Sequence, residues 1–366
     1  MTSLRKSLPD FPWDTITDVA ALAARHPGGL VDLSVGAPVD ETPDVVRRAL
    51  AAASDAPSYP PTPGTVELRA AAVRLLARRH GVVGLDETSV LPTVGSKELV
   101  ALLPWLLGVG PGDVVVVPEL AYPTYAVGAL LAGAEVAVSD ALTAVGPARV
   151  RMVWVNSPAN PHGRVLPAEH LAKVVEWARE RDAVVASDEC YLDFGWTARP
   201  VSALHPNVCG RNHSGVLALH SLSKRSNMAG YRAGLVAGDP ELVGTLLEMR
   251  KHAGLIVPGP VQAAMAAALD DDAHIDEQRA RYAARRELLT EAFTVAGFRV
   301  DHSEGGIYLW VTRDEPCRTS LQWLAERGIL TAPGDFYGVA GARHVRVALT
   351  ATDERVGAAV ERLRPG

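Results

Sequence analysis

The chain has 366 residues, 48% of them hydrophobic, with a formal net charge of −6 and a pI near 6.0. This length and apolar content give either one large domain with a smaller one or two of ordinary size, around a sizeable core. The mildly acidic balance excludes the basic footprint of a nucleic-acid binder. The three cysteines, Cys190, Cys209 and Cys317, are too few and too scattered for a disulfide framework or a zinc site, so a reducing cytoplasm is the expected compartment.

Residues 1–14 hold two basic side chains with no apolar run after them, so no signal peptide is read. The longest apolar stretch, Leu99 to Val109, is interrupted by Pro104 and is too short for a membrane span; it is predicted to be a core helix. Leu8 to Asp14 reads as an extended, proline-broken arm, followed by helical spacing over Thr15 to Arg25. Leu30 to Pro38 gives a short strand and a turn at Gly36, where glycine serves either chain reversal or the close approach of a ligand carboxylate. Thr42 to Ala53 is predicted helical. Ser58 to Gly64 is a proline-rich loop carrying Tyr59, and Thr65 opens an amphipathic helix to His80. The basic runs Arg78-Arg79-His80 and Arg281 to Arg286 read as solvated helix faces.

From Val90 onward, short β-rich runs alternate with helical stretches: Val90 to Thr93, Val114 to Val117, Glu135 to Val138, Val153 to Val155, Ala183 to Ser187 and Val216 to Leu219. This alternation predicts an α/β fold with a mostly parallel sheet covered by helices on both faces, and ligands at the carboxyl ends of its strands. After Pro260 the texture changes to long helices, Val261 to Leu269 and Asp276 to Ala296, followed by strands near Phe298, Gly305 to Val311 and Val345 to Leu349. That predicts a smaller α+β domain. The division read is an N-terminal arm with part of the small domain over 1–35, a large cofactor-binding domain over 36–265 and the small domain over 266–366.

The polar motifs all follow strands. Asn156 to Gly163 is a rigid loop displaying Asn156 and Asn160, and Ser187 to Tyr191 displays Asp188 and Tyr191. Ser221-Leu-Ser-Lys-Arg carries Lys224 at the mouth of a buried strand, with Arg232 eight residues on. Desolvation and nearby cations lower such a lysine's pKa and make it nucleophilic. Ser221, Ser223 and Arg232 are the groups that hold a phosphate dianion. Taken singly, Asp188 is equally a helix N-cap and Asn160-Pro161 a simple turn. Taken together, an amide, a carboxylate, a phenol and an amine at successive strand ends are what pyridoxal phosphate requires: Asp188 for the ring nitrogen, Asn160 and Tyr191 for the ring oxygen, Tyr122 for the ring face and Lys224 for the Schiff base.

With these motifs the sequence resembles the fold-type I, pyridoxal-phosphate-dependent aminotransferases of class I/II over nearly its whole length. The resemblance implies that phosphate contacts come from Ser96, Lys97, Ser221, Ser223 and Arg232. It also implies that Arg346, Asn160 and the backbone at Gly36 bind the substrate α-carboxylate. Tyr59 resembles the tyrosine that reaches the neighbouring subunit's phosphate, implying a homodimer with shared active sites, acting on amino-acid and 2-oxo-acid substrates with no metal, nucleic acid or membrane partner. At finer scale, Asp10 to Asp14, Asp32 to Asp40, Gly95 to Val100, Glu119 to Tyr125, Ser187 to Tyr191 and Val345 to Arg355 resemble the actinobacterial succinyldiaminopimelate transaminases of lysine and diaminopimelate biosynthesis. The implied reaction converts N-succinyl-LL-2,6-diaminopimelate and 2-oxoglutarate to N-succinyl-2-amino-6-oxopimelate and glutamate. Arg250, Lys251 and His252 are candidates for its distal carboxylates, or form a solvated helix end. Other aminotransferases, for histidinol phosphate or aromatic amino acids, share these cofactor residues. A β-lyase of the same fold is a further alternative, and a cofactor-binding regulator would need a DNA-binding module for which there is no room before Thr15.

Overall fold

The computed structural model describes residues 8–146 and 148–364. The segment 1–7, part of the stretch read as lacking a leader, and residues 365–366 of the 266–366 span lie outside them.

Seven strands form the main sheet: β1 (Val90–Val94), β2 (Val114–Val117), β3 (Glu135–Val138), β4 (Val150–Asn156), β5 (Val184–Asp188), β6 (Val216–Ser221) and β7 (Ala233–Gly238). Their order is β1-β7-β6-β5-β4-β2-β3. All neighbours are parallel except β7, which runs antiparallel to both β1 and β6. The all-valine β2 is buried along its length, as expected of a strand covered on both faces. One face packs on the cluster of Leu75, Val116, Val155 and Val175, and the other on Leu103, Tyr125, Trp154 and Leu246.

A four-stranded antiparallel sheet is built from β8 (Arg299–Asp301), β9 (Tyr308–Thr312), β10 (Ala332–Pro333) and β11 (Val345–Ala348), in the order β10-β11-β9-β8. A separate parallel pair joins Val31–Asp32 to Ile329–Leu330. Val31 and Leu33 share their apolar cluster with Phe293, Leu309 and Val347.

Several expectations are revised. The arm is not wholly extended: Pro12–Ile16 forms a 3-10 turn that leads directly into the helix Thr17–Ala24. Strand β7 was not anticipated, because Ala-Gly-Leu-Val-Ala-Gly lacks a β-branched run; pairing on both edges imposes the conformation. The basic helix faces are solvated only in part: Arg78 and Arg281 are exposed, but their neighbours are engaged in ion pairs. Arg79 pairs with Asp193 and Asp276, and the buried Arg285 pairs with Asp40 and Asp353. Arg250, read either as a distal-carboxylate contact or as part of a solvated helix end, lies in the last turn of its helix but is fully buried and bonded to Glu98 at 2.9 Å, while Lys251 pairs with Glu248. No helix among the described residues is long and apolar enough to cross a membrane.

Candidate active site

A pocket of about 500 Å³ opens at the carboxyl ends of the main sheet, against the small sheet. Tyr122 follows β2, Asn160 follows β4, Asp188 ends β5, and Ser221 ends β6 with Ser223 and Lys224 just beyond. Ser96 and Lys97 open the helix Ser96–Leu106 after β1. Gly36, Tyr191, Arg232 and Arg346 complete the predicted residues in the lining. Tyr59 alone stands apart, 97% exposed.

The floor is held by hydrogen bonds. The Asp188 carboxylate accepts from the Tyr125 hydroxyl at 2.7 Å and from the Cys190 amide at 3.1 Å. Tyr125 lies stacked on Trp154, ring centroids 4.6 Å apart. Asn156 is a brace rather than a displayed group: its Nδ2 donates to the Asp188 carbonyl at 2.8 Å and its Oδ1 accepts from the Asn160 amide at 2.7 Å. Across the pocket Arg346 Nη1 donates to Asn160 Oδ1 at 2.8 Å and Nη2 to the Ser34 carbonyl at 2.6 Å. Its guanidinium lies 3.9 Å from the centre of the Tyr308 ring, and its Nε is buried without a partner. The Tyr191 and Tyr308 hydroxyls are 3.3 Å apart. Gly36 leaves room for that arrangement, since a side chain there would run into the Tyr308 hydroxyl.

Burial shifts the titrations. It pulls the Lys224 amine down to about 8, with Cys190 opposing and the cations Arg346 and Arg232 adding to it. The same loss of water pushes the Tyr122 phenol up to about 12 and those of Tyr125 and Tyr191 well above the usual tyrosine range. Lys224 therefore has an amine that is accessible as the free base near neutral pH.

One end of the pocket is an anion cradle. Gly95, at φ 73°, leads into the helix Ser96–Leu106, which has no side-chain cap and so presents free amides. A side chain at Gly95 would collide with the Arg232 guanidinium. The Ser221 hydroxyl accepts from the Ser223 amide at 3.2 Å. Among the described lining residues, the cations Lys97, Lys224, Arg232 and Arg346 face one carboxylate, Asp188. Such a site is completed by anions. The set fits pyridoxal phosphate, with a helix terminus, hydroxyls and Arg232 for the phosphate, an amine for the carbonyl carbon and a buried carboxylate for the ring nitrogen.

Sequence reasoning missed part of the lining. Phe11 and Trp13 reach the pocket from the arm, and the Lys97 ammonium lies 5.5 Å from the centre of the Phe11 ring. A proline-broken arm carries no periodic signal by which these could be found. Tyr308 was read only as part of a strand, although its register with β11, two residues from the Trp310–Arg346 pair, puts it beside Arg346.

The family model for aminotransferase class I and II matches residues 29–363. A probable aminotransferase of Mycobacterium tuberculosis is 64% identical over 98% of this chain and 85% of its own length. The 4-dedimethylamino-4-oxo-anhydrotetracycline transaminase OxyQ of Streptomyces rimosus is 59% identical over 98% of this chain and 99% of its own. Among solved structures, an aminotransferase from Neisseria meningitidis superposes with a TM-score of 0.89 at 30% identity, covering 99% of this chain and 98% of that one.

Proposed function

The chain belongs to the class I and II aminotransferases, which use pyridoxal 5′-phosphate, and from that premise we propose that it transfers the amino group between N-succinyl-LL-2,6-diaminopimelate and 2-oxoglutarate. Pyridoxal phosphate supplies an electron sink conjugated to the substrate Cα. In this reading Lys224 would hold the cofactor at its carbonyl carbon, and its amine would carry the proton at the substrate Cα. Asp188, Asn160 and Tyr191 orient the ring, Tyr122 covers its face, and Ser96, Ser221, Ser223, Arg232 and the Lys97 amide hold the phosphate. Arg346, steadied by Asn160 and backed by the Gly36 turn, takes the α-carboxylate.

The observation that carries the substrate reading is the fourth cation. With Lys224, Arg232 and Arg346 assigned, this reading moves the Lys97 side chain, which lies over the Phe11 ring, from the phosphate to a carboxylate distant from the reacting carbon, which both proposed substrates have. The buried Arg250 pair with Glu98 leaves no such role for that arginine.

A second reading is favoured by the identity to OxyQ and by the Phe11, Trp13, Tyr122 and Tyr308 side chains, which suit a flat fused-ring ketone. Single-turnover absorbance separates the two. The holoenzyme is mixed with glutamate or with the succinylated diamine while the cofactor band converts to the pyridoxamine band. Conversion by both supports the first reading. Conversion by glutamate alone discards it, and reoxidation of the aminated cofactor by the tetracycline ketone then favours the second. The working unit in this proposal is a homodimer to which Tyr59, exposed and outside its own chain's pocket, contributes across the interface. A fully active monomer in sedimentation would discard the shared site.

A further inference from the structure

A second cavity, of about 280 Å³, shares no lining residue with the first. Its location follows from the sheet order. From β2 the chain steps outward to β3, then crosses back over β2 to β4 and continues in the opposite direction to β5 and β6. The helix Thr124–Ala132 and the helix Ala168–Arg179 therefore pack on opposite faces, and the crevice between the carboxyl ends of β2 and β4 is where the winding reverses. Open α/β sheets bind ligands at such reversals. The cavity lies there, between Pro118 and Leu120 after β2, Asp140 after β3 and the end of β4.

Its lining has an apolar body and a cationic rim. Leu120, Val153, Leu166 and Val174 form walls, and Arg164 has no ion-pair partner among the described residues. The helix Ala168–Arg179 begins at this cavity with Pro167 as its N-cap, which offers no side chain to its first amides. Asn156, 6% exposed, also lines the cavity at the end of β4. The one lining carboxylate, Asp140, accepts from the Glu119 amide and disfavours a second negative charge on an occupant.

We propose that this switch-point cavity is a second ligand site for small monocarboxylic acids with an apolar body, held by Arg164 and the open helix terminus. It takes a different chemical class from the dicarboxylic substrates proposed for the first pocket, and it does not depend on that substrate reading. An occupant contacts Asn156, which lies one interaction from the Asp188 segment. Asn156 Nδ2 donates to the Asp188 carbonyl and its Oδ1 accepts from the Asn160 amide. Binding is therefore coupled to the floor of the active site.

Phenylacetate, which has neither an amino nor an oxo group and cannot turn over, is the probe. Titration calorimetry on the holoenzyme is expected to show one site per chain. Arg164→Ala should weaken it by about tenfold, Val174→Trp should abolish it by filling the cavity, and Arg346→Ala should leave it unchanged. The cofactor absorbance of the wild type should shift on saturation, and that of Val174→Trp should not. Absence of binding, binding untouched by both cavity variants, or binding lost with Arg346→Ala overturns the proposal. Should Val174→Trp fail to fold, the exposed Arg164→Ala decides alone.

Discussion

Two regions of this molecule bury charge, and they do so in opposite ways. Away from the pocket, the nearly buried Asp193 carboxylate sits among Arg79, His80 and Arg225, with Asp272 and Asp276 pairing to Arg79 from outside. Burial would push its carboxyl up, but Arg225, His80 and Arg79 hold it at about 2. There each ion answers another ion. In the pocket four cations face one carboxylate, and the lysine amine is left with a pKa of about 8. The balanced cluster has what stability requires, whereas the unbalanced one is completed by a bound anion.

This contrast can be broken from either side. Lys224→Ala should lower turnover by at least ~10⁴-fold with unchanged circular dichroism. Substantial remaining transaminase activity would remove Lys224 from its assigned role. Arg225→Met leaves Asp193 short of a partner and should lower stability by about 3–5 kcal/mol in denaturant titration, with turnover retained at low temperature. The double variant Arg225→Met/Asp193→Leu should recover much of that loss. If the single variant is neutral, the cluster is not a structural unit.

Two smaller effects sharpen the comparison. In the cofactor-free chain, the depressed amine of Lys224 means that the unfolded state binds more protons between pH 8 and 10.5. Stability should therefore rise through that window, and Lys224→Met should stabilise the apoprotein by about 3 kcal/mol at pH 7 and by nothing above pH 10.5. A pH-independent difference in chemical denaturation would contradict this sign. Last, Tyr125→Phe removes one donor from Asp188 and should cost about 1.5 kcal/mol, or roughly tenfold in kcat/KM.

How far the sequence could be read follows the same division. Asn160, Asp188, Ser221, Ser223 and Lys224 were legible because each follows a β-rich run, where a parallel sheet collects polar ends. The ion cluster was not, since local spacing on the helix Val66–His80 shows Arg79 and cannot show Asp193 or Asp276. Arg250 failed for the same reason, its partner Glu98 lying on another helix. Phe11, Trp13 and Tyr308 entered the pocket through tertiary packing, which leaves no periodic trace.

The parallel pair between Val31–Asp32 and Ile329–Leu330 also governs how the protein is made. During synthesis the strand at Val31 has no partner until Ile329 has emerged, so Val31 and Leu33 stay undocked while the main sheet assembles. Closure of the small sheet's core is then a late event. A ribosome stalled before residue 329 would hold a chain whose first apolar strand has nowhere to dock, and such chains should be the preferred clients of chaperones that bind exposed hydrophobic segments.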